Sequence, residues 1–415
     1  MLVTGIPTLQ VPSWGTGMAS SKMLDVACPP VTSEHDPAVS IRSTASTWVS
    51  WRSGPGHVLD DGGTAIGPGE AHLPAPGTHL RGRGGRVTAR LDARRTTARR
   101  DDPAGTLPVM TTDLDSTAAR IHEVLRSVPT TSPTHRALHA KGTVAAGRFI
   151  ASDVLAGATT APHLTGGSTP ATVRFSHPGG DPDVSDAIPS GRGMAVKLRT
   201  PAGAHDLVAV SLPAFLVRSG SSFLELLAAR APDPATGAPD PARILAFVEA
   251  HPESLPAIEA TLGARVPASY ASLAYNGLHT FFLVDAGGTR HPFRYTWSPV
   301  GGERFLDTAP DVGFDLAGEL GDRLADPTGD TAFDLVVHLG EPGDPTGDPT
   351  TIWPERPTVI AGRLRIDRLV DDAEPIIFDP TNVVPGIELP VDDEILLLRR
   401  ATYGLSFAAR TSPPA

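Results

Sequence analysis

Cysteine occurs once in the 415 residues, at Cys28, which excludes an intrachain disulfide and any cysteine-built metal cluster. Long apolar runs are missing as well: no stretch of about 18 apolar residues occurs, so no transmembrane helix and no membrane partner are expected. The N-terminus lacks the charged region followed by an apolar one that marks a secretory signal. Positive charge is in deficit. A net charge of -11 argues against a nucleic-acid partner. Aromatic residues make up only 5%, and four of them are tyrosines. A cytoplasmic enzyme or small-molecule binding protein is the expectation.

Glycine and proline, by contrast, are abundant, 42 of each. They crowd residues 1–109, as in "SGPGHVLDDGGTAIGPGEAHLPAPG", where no period of 2 or 3.6 is sustained. This part carries 11 basic and 9 acidic residues, which leaves 24 against 37 for the remainder. It reads as a disordered low-complexity extension, because it offers too little apolar surface to offset the entropy of ordering it. The arginine-rich stretch 81–100 lacks the interleaved aromatics of a nucleic-acid arm. The abrupt change of character at Met110 also suits a translation start there. On either reading residues 1–109 are non-catalytic, and 110–415 form the functional domain.

From Met110 the pattern becomes regular. "TTDLDSTAARIHEVLRSV" places Leu114, Ala118, Ile121, Val124 and Leu125 on one helical face, with Thr112 or Asp113 as its cap. Strands are expected over Gly142–Ile150, Ala171–Phe175, Met194–Leu198 and Leu207–Leu212. Helical patterns follow in "SSFLELLAARA" and "PARILAFVEAH". "HTFFLVDAGGTRHPFRYTWSPV" reads as a hairpin turning at Ala286-Gly287-Gly288, and "AFDLVVHLGE" and "AGRLRIDRLV" as half-buried strands. Antiparallel strands with inserted helices predict an α+β fold built on a barrel.

Simple motifs are uninformative. The one histidine pair at HxxxH spacing, His135 and His139, lies outside any helical periodic segment; no HxH occurs, no glycine-rich string has the strand–loop–helix setting of a phosphate loop, and no GxSxG occurs. Two residues invite a question. His139 stands in "THRALHAKGTVAAGRF", at the head of a small, apolar, strand-like segment; it is either a hydrogen-bonded core histidine or an acid–base group over a cofactor. Tyr403 stands in "LLLRRATYGLSFAAR" with Arg399 four residues before it and Arg410 seven after. Four residues apart on a helix share a face. A guanidinium beside a phenol oxygen favours the anionic form, which is a hard ligand for ferric iron.

"HRALHAKG" with "GRF", then "TPATVRFS", "GRGMAVKL", "HDLVAVSLPAFLVR", "FDPTNVVPGIE" and the tyrosine segment follow one another in an order that resembles the haem catalase superfamily. Most of 134–410 is covered, and the resemblance is greatest to the small catalase-related peroxidases. It implies a catalase-type antiparallel β-barrel with inserted and flanking helices, binding haem. His139 then falls on the distal histidine that moves a peroxide proton, and Ser176 on the hydroxyl that holds its second nitrogen. Tyr403 falls on the iron ligand, partnered by Arg399. Arg136, Arg174 and Arg410 fall on propionate-binding positions, and Phe215 and Phe223 on haem-pocket aromatics. The chain ends 12 residues after Tyr403, so the resemblance implies no C-terminal helical region and no nicotinamide-nucleotide site.

One departure stands out. The family's distal asparagine falls on Val210, with Ser211 beside it. An apolar side chain there is expected to favour O–O cleavage over disproportionation. The resulting expectation is a peroxidase acting on an organic hydroperoxide or hydrogen peroxide with a small organic electron donor. The alternatives are a true catalase, a hydroperoxide isomerase, and a haem carrier or sensor without turnover.

Overall fold

The computed structural model describes residues 111–128, 131, 134–233, 236–308, 310, 313–326, 331–371 and 375–411. The extension read over 1–109 lies outside them. Eight strands close into an antiparallel barrel: β1 (Gly142–Ala151), β2 (Gly167–Ser176), β3 (Gly193–Thr200), β4 (Gly203–Val210), β5 (Tyr275–Val284), β6 (Arg290–Pro299), β7 (Ala332–Leu339) and β8 (Thr358–Val370). Their order is β4-β3-β2-β1-β8-β7-β6-β5, and the pairing of Val210 with Asn276 joins β4 to β5. The β4–β5 seam is thus closed at one residue pair, at the end of β4. A two-residue strand, β9 (Ile387–Glu388), adds to β5.

Helices α1 (Thr111–Arg126) and α6 (Glu394–Thr411) flank the barrel in sequence; α2 (Gly220–Ala229), α3 (Pro241–Ala250) and α4 (Leu255–Leu262) are inserted between β4 and β5, and α5 (Leu316–Ala325) between β6 and β7. Local chemistry starts several of them. Ser219 and Ser222 form a reciprocal capping box on α2, Asp240 caps α3 ahead of Pro241, and Asp315 caps α5. In the β5–β6 hairpin, Oδ1 of Asp285 accepts from the amides of Gly287 and Thr289, both at 2.8 Å, and Gly288 takes φ +81°. Among the described residues no helix is long and apolar enough to cross a membrane.

Two apolar clusters result. One fills the barrel with Phe149, Phe175, Tyr275, Trp297, Phe333 and Leu364. The other joins α1, α2 and α6 through Ile121, Leu125, Leu226, Ile395 and Leu398. Alternation along a strand sends neighbours to opposite faces, so Phe175 and Tyr275 enter the barrel core while Ser176 and Asn276 face away from it.

Several sequence expectations shift. α1 begins at Thr111, so Thr112 and Asp113 lie in its first turn instead of capping it, and Val124 is 39% exposed. β2 and β3 run longer than expected, β4 ends at Val210, and α4 and α5 are helices not expected from the sequence, although Leu316, Leu320 and Leu324 share one face of α5. His139 precedes β1 by three residues and is not part of the strand.

Candidate active site

His139 sits in the bend that leads into β1 with φ +56°, the one positive value of a non-glycine among the described residues. A left-handed L-residue costs roughly 1–2 kcal/mol, and the surroundings hold it there. Arg174 on β2 donates through Nη1 to the His139 carbonyl at 2.9 Å and through Nη2 to the Ala140 carbonyl at 3.1 Å. The backbone amide of Ala140 donates to the Gly179 carbonyl at 3.0 Å. Strain that is over-determined in this way is a mark of a functional position.

The imidazole of His139 reaches Oγ of Ser176 through Nδ1 at 2.9 Å. It lies against Gly193 of β3, where a Cβ would stand 2.8 Å from Nδ1. Burial, followed by the cations of Arg174, Arg399 and Arg136, pushes its pKa down to about 3. The ring is therefore neutral at ordinary pH and able to accept a proton.

α6 supplies the opposite group. Arg399 and Tyr403 are one turn apart, and Nε and Nη2 of the guanidinium donate to the phenol oxygen at 3.1 and 2.9 Å. Nη1 donates to Nε2 of His279 at 2.7 Å. Arginine has no acceptor, so that imidazole nitrogen carries no proton. Nδ1 of His279 then donates to Oδ2 of Asp393 at 2.6 Å, and the other carboxylate oxygen accepts the Leu396 amide at 2.9 Å as the N-cap of α6. Burial lowers the pKa of His279 and outweighs the opposing pull of Asp393. A chain Asp393–His279–Arg399–Tyr403 thus orients two N–H groups at one phenol oxygen.

His279 and Asp393 were not singled out from the sequence. The available signals were an imidazole at the head of a buried hairpin strand and an aspartate before the apolar run "EILLL", a capping pattern.

Every residue that the resemblance assigned to the site lines a single cavity between β2–β5 and the helices, with a volume of about 1300 Å³ including its open mouth. Phe215 and Phe223 are part of its wall, their ring centres 6.5 Å apart. At one end the guanidinium groups of Arg136 and Arg410 converge on the Ile376 carbonyl, at 2.9 and 2.8 Å. Arg174 lines the cavity while gripping the His139 backbone. Val210 lines it too, and beside it in register is an amide, Asn276.

Comparison with known proteins agrees with this architecture. A solved bacterial catalase superimposes with a TM-score of 0.59 at 22% identity, covering 75% of this chain and 63% of that one. The fold is thus the catalase-type barrel. The model of the Catalase family matches residues 120–316. A catalase-related peroxidase of Mycolicibacterium paratuberculosis is 36% identical over 302 residues, 70% of this chain and 93% of that protein. One from Synechococcus elongatus is 31% identical over 281 residues, 66% of this chain and 82% of its own length. Catalase-1 of Arabidopsis thaliana is 32% identical over 305 residues, of which only 60% of the plant protein is covered. The chain belongs to the catalase family.

Proposed function

We propose that this protein is a haem-dependent peroxidase that reduces organic hydroperoxides, or hydrogen peroxide, at the expense of a small organic electron donor. It is a catalase-family oxidoreductase acting on peroxide. The observation that carries the finer reading is the pair of guanidinium N–H groups aimed at the phenol oxygen of Tyr403, across one cavity from a neutral, serine-held imidazole.

The residues present suit a haem. A phenol oxygen with two cationic donors is matched to the charge of a phenolate ligand, and the cavity has room and apolar walls for a flat macrocycle. Tyr403 would be the iron ligand. Arg136 and Arg410 converge where two propionates would need cations, with Arg174 as a third. Phe215 and Phe223 would pack on the ring. When bound, the haem iron supplies the electrons that break the O–O bond and takes them back from the donor.

The chain's own groups handle the proton. With Nδ1–H given to Ser176, Nε2 of His139 presents a lone pair to the cavity. It takes the proton from one peroxide oxygen and delivers it to the other, which leaves as water or an alcohol. Arg174 keeps the imidazole in place through its grip on the backbone. The apolar walls around Val208, Val210 and Leu278 favour a hydroperoxide with an organic tail.

The test is an absorption spectrum of protein expressed with added haem, before and after one equivalent of peroxide. A change that reverses only with an added organic donor supports the peroxidase; reversal without donor and with oxygen release indicates catalase turnover. Tyr403→Phe is expected to lose most of its haem. His139→Ala is expected to retain haem but to react with peroxide at least a hundredfold more slowly. Normal haem content in the first variant, or an unchanged rate in the second, contradicts the assignment.

A further inference from the structure

Four cavity-lining residues stand in register across four strands. Ser176 of β2 pairs with Gly193 of β3, Gly193 with Val210 of β4, and Val210 with Asn276 of β5. Paired residues of an antiparallel sheet project to the same face, and here that face is the cavity's. The His139 ring lies over Gly193. Val210 is next in the row and Asn276 follows, about 9.6 Å from Gly193 at two strand spacings. An imidazole and an amide therefore face each other across a valine.

Its partners orient the amide. The Leu212 carbonyl can only accept, so Nδ2 of Asn276 faces it, at 3.1 Å. Oδ1 accepts from Oγ1 of Thr296 at 3.0 Å. That hydroxyl has then used its proton, so Nε2 of His338, 3.0 Å away, donates to it. With Oδ1 engaged and one N–H spent on Leu212, the second N–H of Asn276 is left for the cavity. A peroxide with a hydrogen bond at each end spans about 7 Å, which fits between the two groups over the floor made by Val210.

We infer that Asn276 is the second peroxide-binding group of the site: its spare N–H donates to one peroxide oxygen while His139 engages the molecule from the other side. The role rests on the peroxidase reading above. It places the amide on β5, one strand from Val210, and so gives the cavity a polar contact that its β4 wall lacks. Its consequence is orientation, because a peroxide held at both ends presents its proton to His139 in one direction only.

The experiment uses the full chain loaded with haem. It measures the Kd of hydrogen cyanide and the second-order rate constants for hydrogen peroxide and cumene hydroperoxide, with haem content and melting temperature followed for every variant. Asn276→Ala and the similarly shaped Asn276→Leu are expected to weaken cyanide and slow both peroxides about tenfold, the worth of one hydrogen bond. The donor-dependent step should be unchanged. Thr296→Val removes the network behind the amide but not its N–H, so it should stay within about threefold. In the double variant V210N/N276V the amide returns from the neighbouring strand, and at least part of the loss should be recovered.

Values within twofold of wild type for Asn276→Ala and Asn276→Leu overturn the inference. Equal losses in Thr296→Val do the same, because they would mark a packing role. If either single variant fails to fold, recovery or its absence in the double variant decides. These results are distinct from failure of the peroxidase reading, in which the unmodified protein binds no haem or His139→Ala reacts normally.

Discussion

A single missing side chain makes room for the imidazole of His139. A Cβ at Gly193 would stand 2.7 Å from Oγ of Ser176 and 2.8–2.9 Å from Nδ1 and Cε1 of His139. A serine standing alone would be free to rotate away from such an intruder, but this one is tied to the ring by the 2.9 Å contact. The ring, in turn, is anchored through a backbone that Arg174 holds. Gly193→Ala is therefore expected to push the imidazole aside and break its bond to Ser176, at an overpacking cost of about 1–3 kcal/mol. Haem content should stay near normal while the peroxide rate constant falls at least tenfold. Stopped-flow absorption with haem titration separates the two, and an unchanged rate would show that the ring has slack.

Among the elements, α6 does two jobs through its first residues. Asp393 caps the helix with one carboxylate oxygen and holds His279 with the other, so the start of the helix and the orientation of Arg399 six residues later are set by one side chain. Removing it in Asp393→Ala leaves an uncapped helix, worth roughly 0.5–2 kcal/mol. It also leaves a buried imidazole N–H without a partner, worth about 1–3 kcal/mol. A loss of roughly 2–4 kcal/mol in urea unfolding is expected, together with weakened haem retention. Asp393→Asn keeps an oxygen for the cap but turns its NH2 toward the His279 N–H, so it should lose less by only the cap's roughly 0.5–2 kcal/mol. Equal losses in the two variants would mean that the cap contributes nothing.

For the molecule as a whole, buried histidines set the response to acid. His163 and His205 stack with ring centres 4.5 Å apart, both buried, and Nδ1 of each lacks a partner. Burial holds His163 down to about 4 and His205 well below its ordinary value; His177, beside the site, is pushed to about 3 by burial and then Arg192. The unfolded chain takes up these protons below about pH 6.5, whereas in the folded chain His163 and His177 do so only near pH 3–4 and His205 is held well below its ordinary value. Stability is thus intact above about pH 7 and falls as the pH drops, by about 1.4 kcal/mol per pH unit for each such histidine. Against a total of roughly 5–15 kcal/mol, this predicts unfolding on acidification. Urea midpoints at pH 7.5 and pH 5 measure it, and equal midpoints would rule it out. His163→Phe should flatten the slope.

The features legible in the chain's own pattern are either local or a matter of motif order. The i, i+4 spacing put Arg399 on Tyr403, because a helix brings those positions together whatever else the chain does. Alternation marked the strands of the barrel, and the succession of short motifs carried the family and, with it, His139 and Ser176. Tertiary structure alone decided the rest. His279 and Asp393 are 114 residues apart, and Arg399 and His279 are 120 apart. The left-handed turn of His139 depends on Arg174, 35 residues away, and Asn276 enters the cavity only because β5 pairs with β4 in one register. A slip of one residue would turn that amide into the barrel core. Nothing in the local pattern specifies such a register; it is set by the closure of the whole sheet, where the packing of both clusters selects one alignment.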